Sequence, residues 1–265
     1  MIQAVMLDWA GTMVDFGCFA PLNVFVDVFA RRGIEVTVEE ARGPMGMLKR
    51  DHIQAMCRME RIAGLWESRF GATPSEADVD ALYADFEPML FGTLKDYATP
   101  VPGAVELAAR LRAQGIKIGS TTGYTRAMMD VVRPSAEAQG YAPDYLVTPD
   151  EAAAGRPYPW MIYRNAEHLG VYPMHQVVKA GDTVSDMQEG VNAGCWTVGV
   201  ILGSSELGMT EAEAAACEAG ELQARKDAVA KRLRDAGAHC VIDRIGELDG
   251  LFPELNARIA KGERP

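Results

Sequence analysis

The hydrophobic pattern of the chain changes character twice. Ile2-Gln3-Ala4-Val5-Met6-Leu7 is a short apolar run that stops at Asp8 and is followed by Gly11. A run of this length, ended by turn residues, predicts a buried strand entering a loop. From about Pro21 the spacing becomes helical. Leu22 to Arg32 predicts a helix with Arg31 and Arg32 in its last turn and Gly33 as its stop. Thr37-Val38-Glu39-Glu40 has the form of a capping box, and Thr73-Pro74-Ser75-Glu76 predicts another, with proline at the first helical position. Everything from Pro21 to Ala98 reads as helical.

After Thr99-Pro100-Val101-Pro102-Gly103 the pattern alternates. Helices are predicted over Gly103 to Gln114, Arg126 to Gln139, Pro159 to Leu169, Ser185 to Ala193 and within Glu211 to Ala236. Short strands are predicted at Ile116 to Thr122, Tyr145 to Val147, Gln176 to Ala180, Trp196 to Ile201 and His239 to Ile242. Repeated strand–helix units imply an α/β fold, a doubly wound parallel sheet covered by helices on both faces. The first strand is separated from the others by the helical stretch. The expected organisation is an α/β core of residues 1–20 and 99–265, with a helical cap inserted at 21–98.

Composition narrows the function. The 265 residues include 26 Lys or Arg and 37 Asp or Glu, a net charge of −11, which argues against a nucleic-acid partner. Five scattered cysteines, Cys18, Cys57, Cys195, Cys217 and Cys240, form no CxxC pair, so a reducing cytoplasm is expected, with neither a zinc site nor a disulfide framework. Asp8 interrupts the first apolar run, and no stretch has the apolar length of a membrane span.

In a parallel sheet, ligands gather at the carboxyl ends of strands. Those ends read Asp8-Trp9-Ala10-Gly11-Thr12, Ser120-Thr121-Thr122-Gly123-Tyr124 and Gly181-Asp182-Thr183-Val184-Ser185-Asp186-Met187. Gly155-Arg156-Pro157-Tyr158-Pro159 follows the third predicted strand. Each has an ordinary use: Asp8 as a turn residue, Asp182 as a helix cap, Thr122 bonded to local backbone, Arg156 as a surface cation. In this order, however, the set resembles the haloacid dehalogenase superfamily of aspartate-nucleophile phosphotransferases. The resemblance implies that Asp8 is the nucleophile and that Asp8, the Ala10 carbonyl and Asp182 hold Mg²⁺. Asp186 would be a supporting carboxylate, either bound through water or orienting other groups. Thr122 and Arg156 would bind phosphoryl oxygens, as would backbone N–H groups of the loop after Asp8.

Ala10 departs from that pattern. Phosphatases and mutases of the superfamily usually carry a second Asp there, which exchanges a proton with the leaving alkoxide. Alanine cannot. A leaving group on carbon fits if its electrons can enter an imine formed between a lysine and a β-carbonyl. Gly43-Pro44-Met45-Gly46-Met47-Leu48-Lys49-Arg50-Asp51-His52 supplies such a lysine, with Lys49 and His52 on one helical face. Met45, Met47 and Leu48 could desolvate the amine, and His52 could carry protons during imine formation or hydrolysis. With this segment the chain resembles the phosphonoacetaldehyde hydrolase family. The resemblance implies Lys49 as the Schiff-base lysine, His52 as the cap histidine, Met45 and Tyr124 as pocket residues, a small phosphonate substrate and a homodimer. The alternatives are a Mg²⁺-dependent phosphatase or mutase, which Ala10 disfavours, and a silent phosphate-ligand binding module, which the pairing of Asp8 with Lys49 disfavours. The remaining histidines, His168, His175 and His239, have no motif partner and read as structural.

Overall fold

A computed structural model describes all of residues 1–265. Six strands form one sheet: β1 Ala4–Leu7, β2 Lys117–Thr121, β3 Tyr145–Val147, β4 Val177–Gly181, β5 Trp196–Val200 and β6 Cys240–Ile242. Their order is β3-β2-β1-β4-β5-β6, and every pairing is parallel. β1 is buried at every position, which explains its continuous apolar sequence: helices cover both faces of the sheet and leave no side for alternating polar residues. From β1 the chain builds outward through β2 and β3 on one side, then through β4, β5 and β6 on the other. The switch point lies between the carboxyl ends of β1 and β4, where Asp8 and Asp182 follow directly.

Between β1 and β2 come α1 Phe19–Ala30, α2 Val38–Arg42, α3 Lys49–Cys57, α4 Glu60–Phe70 and α5 Glu76–Thr93, then α6 Ala104–Ala113 leading into β2. The later helices are α7 Arg126–Ala138, α8 Trp160–Leu169, α9 Val184–Ala193, α10 Glu211–Ala216, α11 Ala219–Asp235 and α12 Phe252–Ala260. One apolar cluster joins Val5, Leu7 and Val178 of the sheet to Phe25 and Phe29 of α1, Trp66 of α4 and Phe86 of α5. The strand leaving β1 and the segment returning toward α6 lie side by side, with Val14 bridging Pro100 and the Asp15 N–H donating to the Thr99 carbonyl at 3.1 Å. None of the helices is both long and apolar enough to cross a membrane.

Two local expectations are corrected. α1 starts at Phe19, because the buried Asp15 carboxylate accepts the N–H groups of Phe19 and Ala20 at 3.1 and 3.0 Å and so supplies an N-terminal anchor that spacing did not reveal. It ends at Ala30, so Arg31 and Arg32 lie beyond its last turn. The second capping box is set two residues later than Thr73: Ser75 and Asp78 bond each other's backbone N–H, and Pro74 precedes the cap. The box at Thr37 and Glu40 forms as read. All five cysteines are free.

Candidate active site

Four loops at the carboxyl edge of the sheet meet the turn that precedes α3. They enclose a cavity of about 20 Å³ lined by Asp8, Ala10, Cys18, Gly46, Lys49, Thr122, Gly123, Tyr124, Arg156 and Thr183. Of the residues singled out from sequence, Asp8, Ala10, Thr122, Arg156, Lys49 and Tyr124 are brought together here. Met45 and His52 are buried beside the cavity without lining it.

The carboxylates come first. Oxygens of Asp8, Asp182 and Asp186 lie within 4.8 Å of one another, all buried. Asp182 is held from two sides. Thr12 Oγ1 donates to its Oδ1 at 2.8 Å, and the Ser205 N–H and Oγ–H both donate to its Oδ2 at 2.8 Å. Burial, then the charges of Asp8 and Asp186, push its carboxyl well above the usual range. The cap of α9 is therefore Thr183, in a capping box with Asp186, which leaves Asp182 to face Asp8. Asp186 is drawn inward because Gly181 has no Cβ: one built there would stand 2.2 Å from Asp186 Cγ. Burial opposes ionisation of Asp186, but Arg156 and Lys179 outweigh it and hold the carboxyl below its ordinary value. Three crowded carboxylates out of water form a donor set of hard oxygens suited to a divalent cation such as Mg²⁺.

The cations are placed with equal definition. Arg156 has a fully enclosed side chain, with Nη2 2.5 Å from Asp8 Oδ1 and Nε 3.0 Å from Glu189 Oε2. Lys179 Nζ lies 2.7 Å from Asp186 Oδ1 and 3.1 Å from Glu189 Oε2. Burial drives the Asp8 carboxyl upward and Arg156 pulls it back, with a net rise. Thr122 Oγ1 accepts the Tyr124 N–H at 3.1 Å, which leaves its own hydrogen to donate into the cavity. In the loop after Asp8 the N–H groups of Gly11, Met13 and Val14 are already bonded to the Val14 and Trp9 carbonyls. The expected backbone cradle is correspondingly narrower.

Lys49 is the first residue of α3 and is buried. Burial lowers the pKa of its amine, and the charge of Arg156 works in the same direction. His52, one turn on, stacks on Phe25 with ring centres 3.7 Å apart, and its Nε2–H meets the Ala41 carbonyl at 2.8 Å. Its Nδ1 has no partner, and burial followed by the nearby Lys49 keeps the ring neutral. The turn holding Met45 and Gly46 docks directly on the loops: Ser185 Oγ donates to the Met45 carbonyl at 3.1 Å and Arg156 Nη1 to that of Gly46 at 3.3 Å.

Sequence reading missed Lys179, Glu189, Thr121, Thr12 and Ser205. A signal existed for Lys179, a lone cation in the otherwise apolar strand Val177-Val178-Lys179-Ala180. Glu189 follows Asp186 by three residues and shares its helical face. Ser205 carries no signal, since it reaches Asp182 only through the loop after β5.

Residues 2–194 match the family model of haloacid dehalogenase-like hydrolases. A phosphonoacetaldehyde hydrolase of Bacillus cytotoxicus is 60% identical over 262 residues, covering 99% of this chain and 98% of that protein. A bifunctional phosphonoacetaldehyde hydrolase/aminoethylphosphonate transaminase of Clostridioides difficile is 57% identical over 262 residues; the match spans 99% of this chain and 41% of that longer protein. The crystal structure of a phosphonoacetaldehyde hydrolase-like protein from Oleispira antarctica superposes with a TM-score of 0.96 at 39% identity, covering 100% of this chain and 96% of the other. The chain belongs to the phosphonoacetaldehyde hydrolase family of haloacid dehalogenase-like hydrolases.

Proposed function

We propose that this hydrolase cleaves the P–C bond of phosphonoacetaldehyde to acetaldehyde and phosphate, with residues 1–20 and 99–265 as catalytic core and 21–98 as cap. One observation carries the reading. A buried lysine of depressed basicity opens into the same cavity as a buried aspartate, and the position that would serve an alkoxide leaving group is Ala10. The neutral Lys49 amine adds to the aldehyde carbon, and the adduct takes up one proton from solvent and loses water to leave a protonated imine. An Asp8 oxygen attacks phosphorus, and the P–C electrons pass into the imine to give an enamine. Protonation at carbon and hydrolysis release acetaldehyde and restore Lys49; water attack on the aspartyl phosphate releases phosphate and restores Asp8. Arg156 and Thr122 hold the phosphoryl oxygens. Mg²⁺ held by Asp8, the Ala10 carbonyl and Asp182 would neutralise the charge that opposes attack of one anion on another. Asp186, paired with Lys179 and Arg156, serves as the orienting carboxylate. His52 acts from behind the cavity, keeping Phe25 packed beside Lys49.

The cavity is close to the size of a single water, so substrate entry requires the turn at Met45 and Gly46 to withdraw from Ser185 and Arg156. The same reading carries a cytoplasmic homodimer. The test is phosphate release from phosphonoacetaldehyde beside a panel of phosphate esters. Turnover of the phosphonate alone supports the reading. Turnover of esters supports an ordinary phosphatase or mutase, and phosphate binding without turnover of either class supports a silent binding module.

A further inference from the structure

Arg156 is positioned by a side chain that lies outside the cavity. Its Nε has one partner, Glu189 Oε2, at 3.0 Å. Nη2 faces four acceptors: Asp8 Oδ1 at 2.5 Å, the Thr121 carbonyl at 2.8 Å, Thr121 Oγ1 at 2.9 Å and Asp186 Oδ1 at 3.1 Å. Nη1 makes a single longer bond, to the Gly46 carbonyl at 3.3 Å. A guanidinium is planar, so holding Nε sets the direction of both terminal nitrogens. Glu189 does more than accept that bond. Its Oε2 also takes the Thr121 hydroxyl at 3.0 Å and lies 3.1 Å from Lys179 Nζ. Lys179 Nζ and Arg156 Nη2 each approach Thr121 Oγ1 to 2.9 Å, so two buried cations converge on one hydroxyl, with Glu189 beside both.

We propose that Glu189 is a positioning residue that fixes the plane of the Arg156 guanidinium and balances the paired cations, so that Arg156 presents N–H groups to an incoming phosphoryl oxyanion. Without that carboxylate, Arg156 loses its Nε anchor. The charge of both cations then falls on Asp186 and Asp8, which pulls Arg156 onto the nucleophile. Asp8 becomes a poorer attacking group and the oxyanion loses a directed donor. The inference rests on the reading that Arg156 binds the phosphoryl group.

The experiment measures inorganic phosphate affinity by calorimetry with Mg²⁺ present, for wild type, Glu189→Ala, Glu189→Gln and Arg156→Lys. It also follows borohydride labelling with acetaldehyde, which has no phosphoryl group. Losing a hydrogen bond to a charged group should weaken phosphate binding by about tenfold in Glu189→Ala. Glu189→Gln, which keeps an acceptor for Nε, should fall between it and wild type. Labelling and thermal midpoint in Glu189→Gln should stay near wild type. Unchanged phosphate affinity in both Glu189 variants, with Arg156→Lys weakened, overturns the role of Glu189 alone. Parallel loss of phosphate affinity, labelling and thermal midpoint in both Glu189 variants also overturns it, because Glu189 would then only hold α9 to the sheet. Unchanged affinity in Arg156→Lys overturns the underlying reading of Arg156 instead. If Glu189→Ala does not fold, Glu189→Gln decides by the same comparison.

Discussion

Lys49 Nζ stands 4.9 Å from the centre of the Tyr124 ring and 5.8 Å from that of Phe25. The two rings come from separate elements, Phe25 from α1 and Tyr124 from the loop after β2, and both are buried against the amine. Burial disfavours the ammonium, so the proton leaves at a lower pH than from a free lysine, whose pKa is 10.5. The neutral amine is the form that attacks an aldehyde. Borohydride labelling with acetaldehyde, followed across pH, should therefore rise with a midpoint below 10.5. A midpoint at or above that value would show that the enclosure does not activate the amine.

Lys49→Arg separates charge from nucleophilicity. Guanidinium keeps the positive charge but stays protonated and cannot form the imine. The variant should bind phosphate near wild-type strength, take up no reducible adduct and lose P–C cleavage by roughly a thousandfold or more. Mass spectrometry after borohydride treatment reads the adduct, which peptide mapping should place on Lys49 in wild type. Cleavage by the variant at a near wild-type rate would mean that charge alone suffices.

Asp182 tests the cation. Burial and the neighbouring Asp8 and Asp186 oppose ionisation of its carboxyl, so a divalent cation would supply the counter-charge that favours the carboxylate form. Chelation should stop turnover reversibly, and Asp182→Ala should lose both activity and its response to added Mg²⁺. Metal binding by calorimetry provides a readout independent of turnover. Full activity of wild type in excess chelator would contradict the assignment.

Gly46 tests the docked turn. Its φ is +85°, and a Cβ built there would stand 2.4 Å from Ser185 Oγ and 2.5 Å from Thr183 Oγ1. Gly46→Ala should cost about 1–2 kcal/mol from backbone conformation alone. It should also push the turn off Ser185, raising KM for the phosphonate by about tenfold or more while leaving the sheet intact. Denaturant unfolding and steady-state kinetics check the two effects separately. Unchanged KM would show that the contact of the turn with Ser185 and Thr183 is not needed for catalysis.

Local pattern was enough to read the alternation of strands and helices, the helical stretch between β1 and β2, and the position of Asp8, Thr122 and Asp182 at strand ends. These are local properties: apolar runs, turn residues and capping boxes act over a few neighbouring residues. Lys49 was singled out from Ala10 and the apolar segment around it, and the fold brings it to the same cavity as Asp8. Which groups share charge depends instead on long-range packing. Glu189 reaches Arg156 across 33 residues and Thr121 across 68, while Asp182 is held by Thr12 across 170. Such distances close only when parallel strands bring separate loops to one edge, a long-range result of packing that no local spacing encodes. The same reason separates His52 from the cavity. Helical spacing put it on the face of Lys49, but the stack on Phe25 and the bond to Ala41 decided where its ring lies.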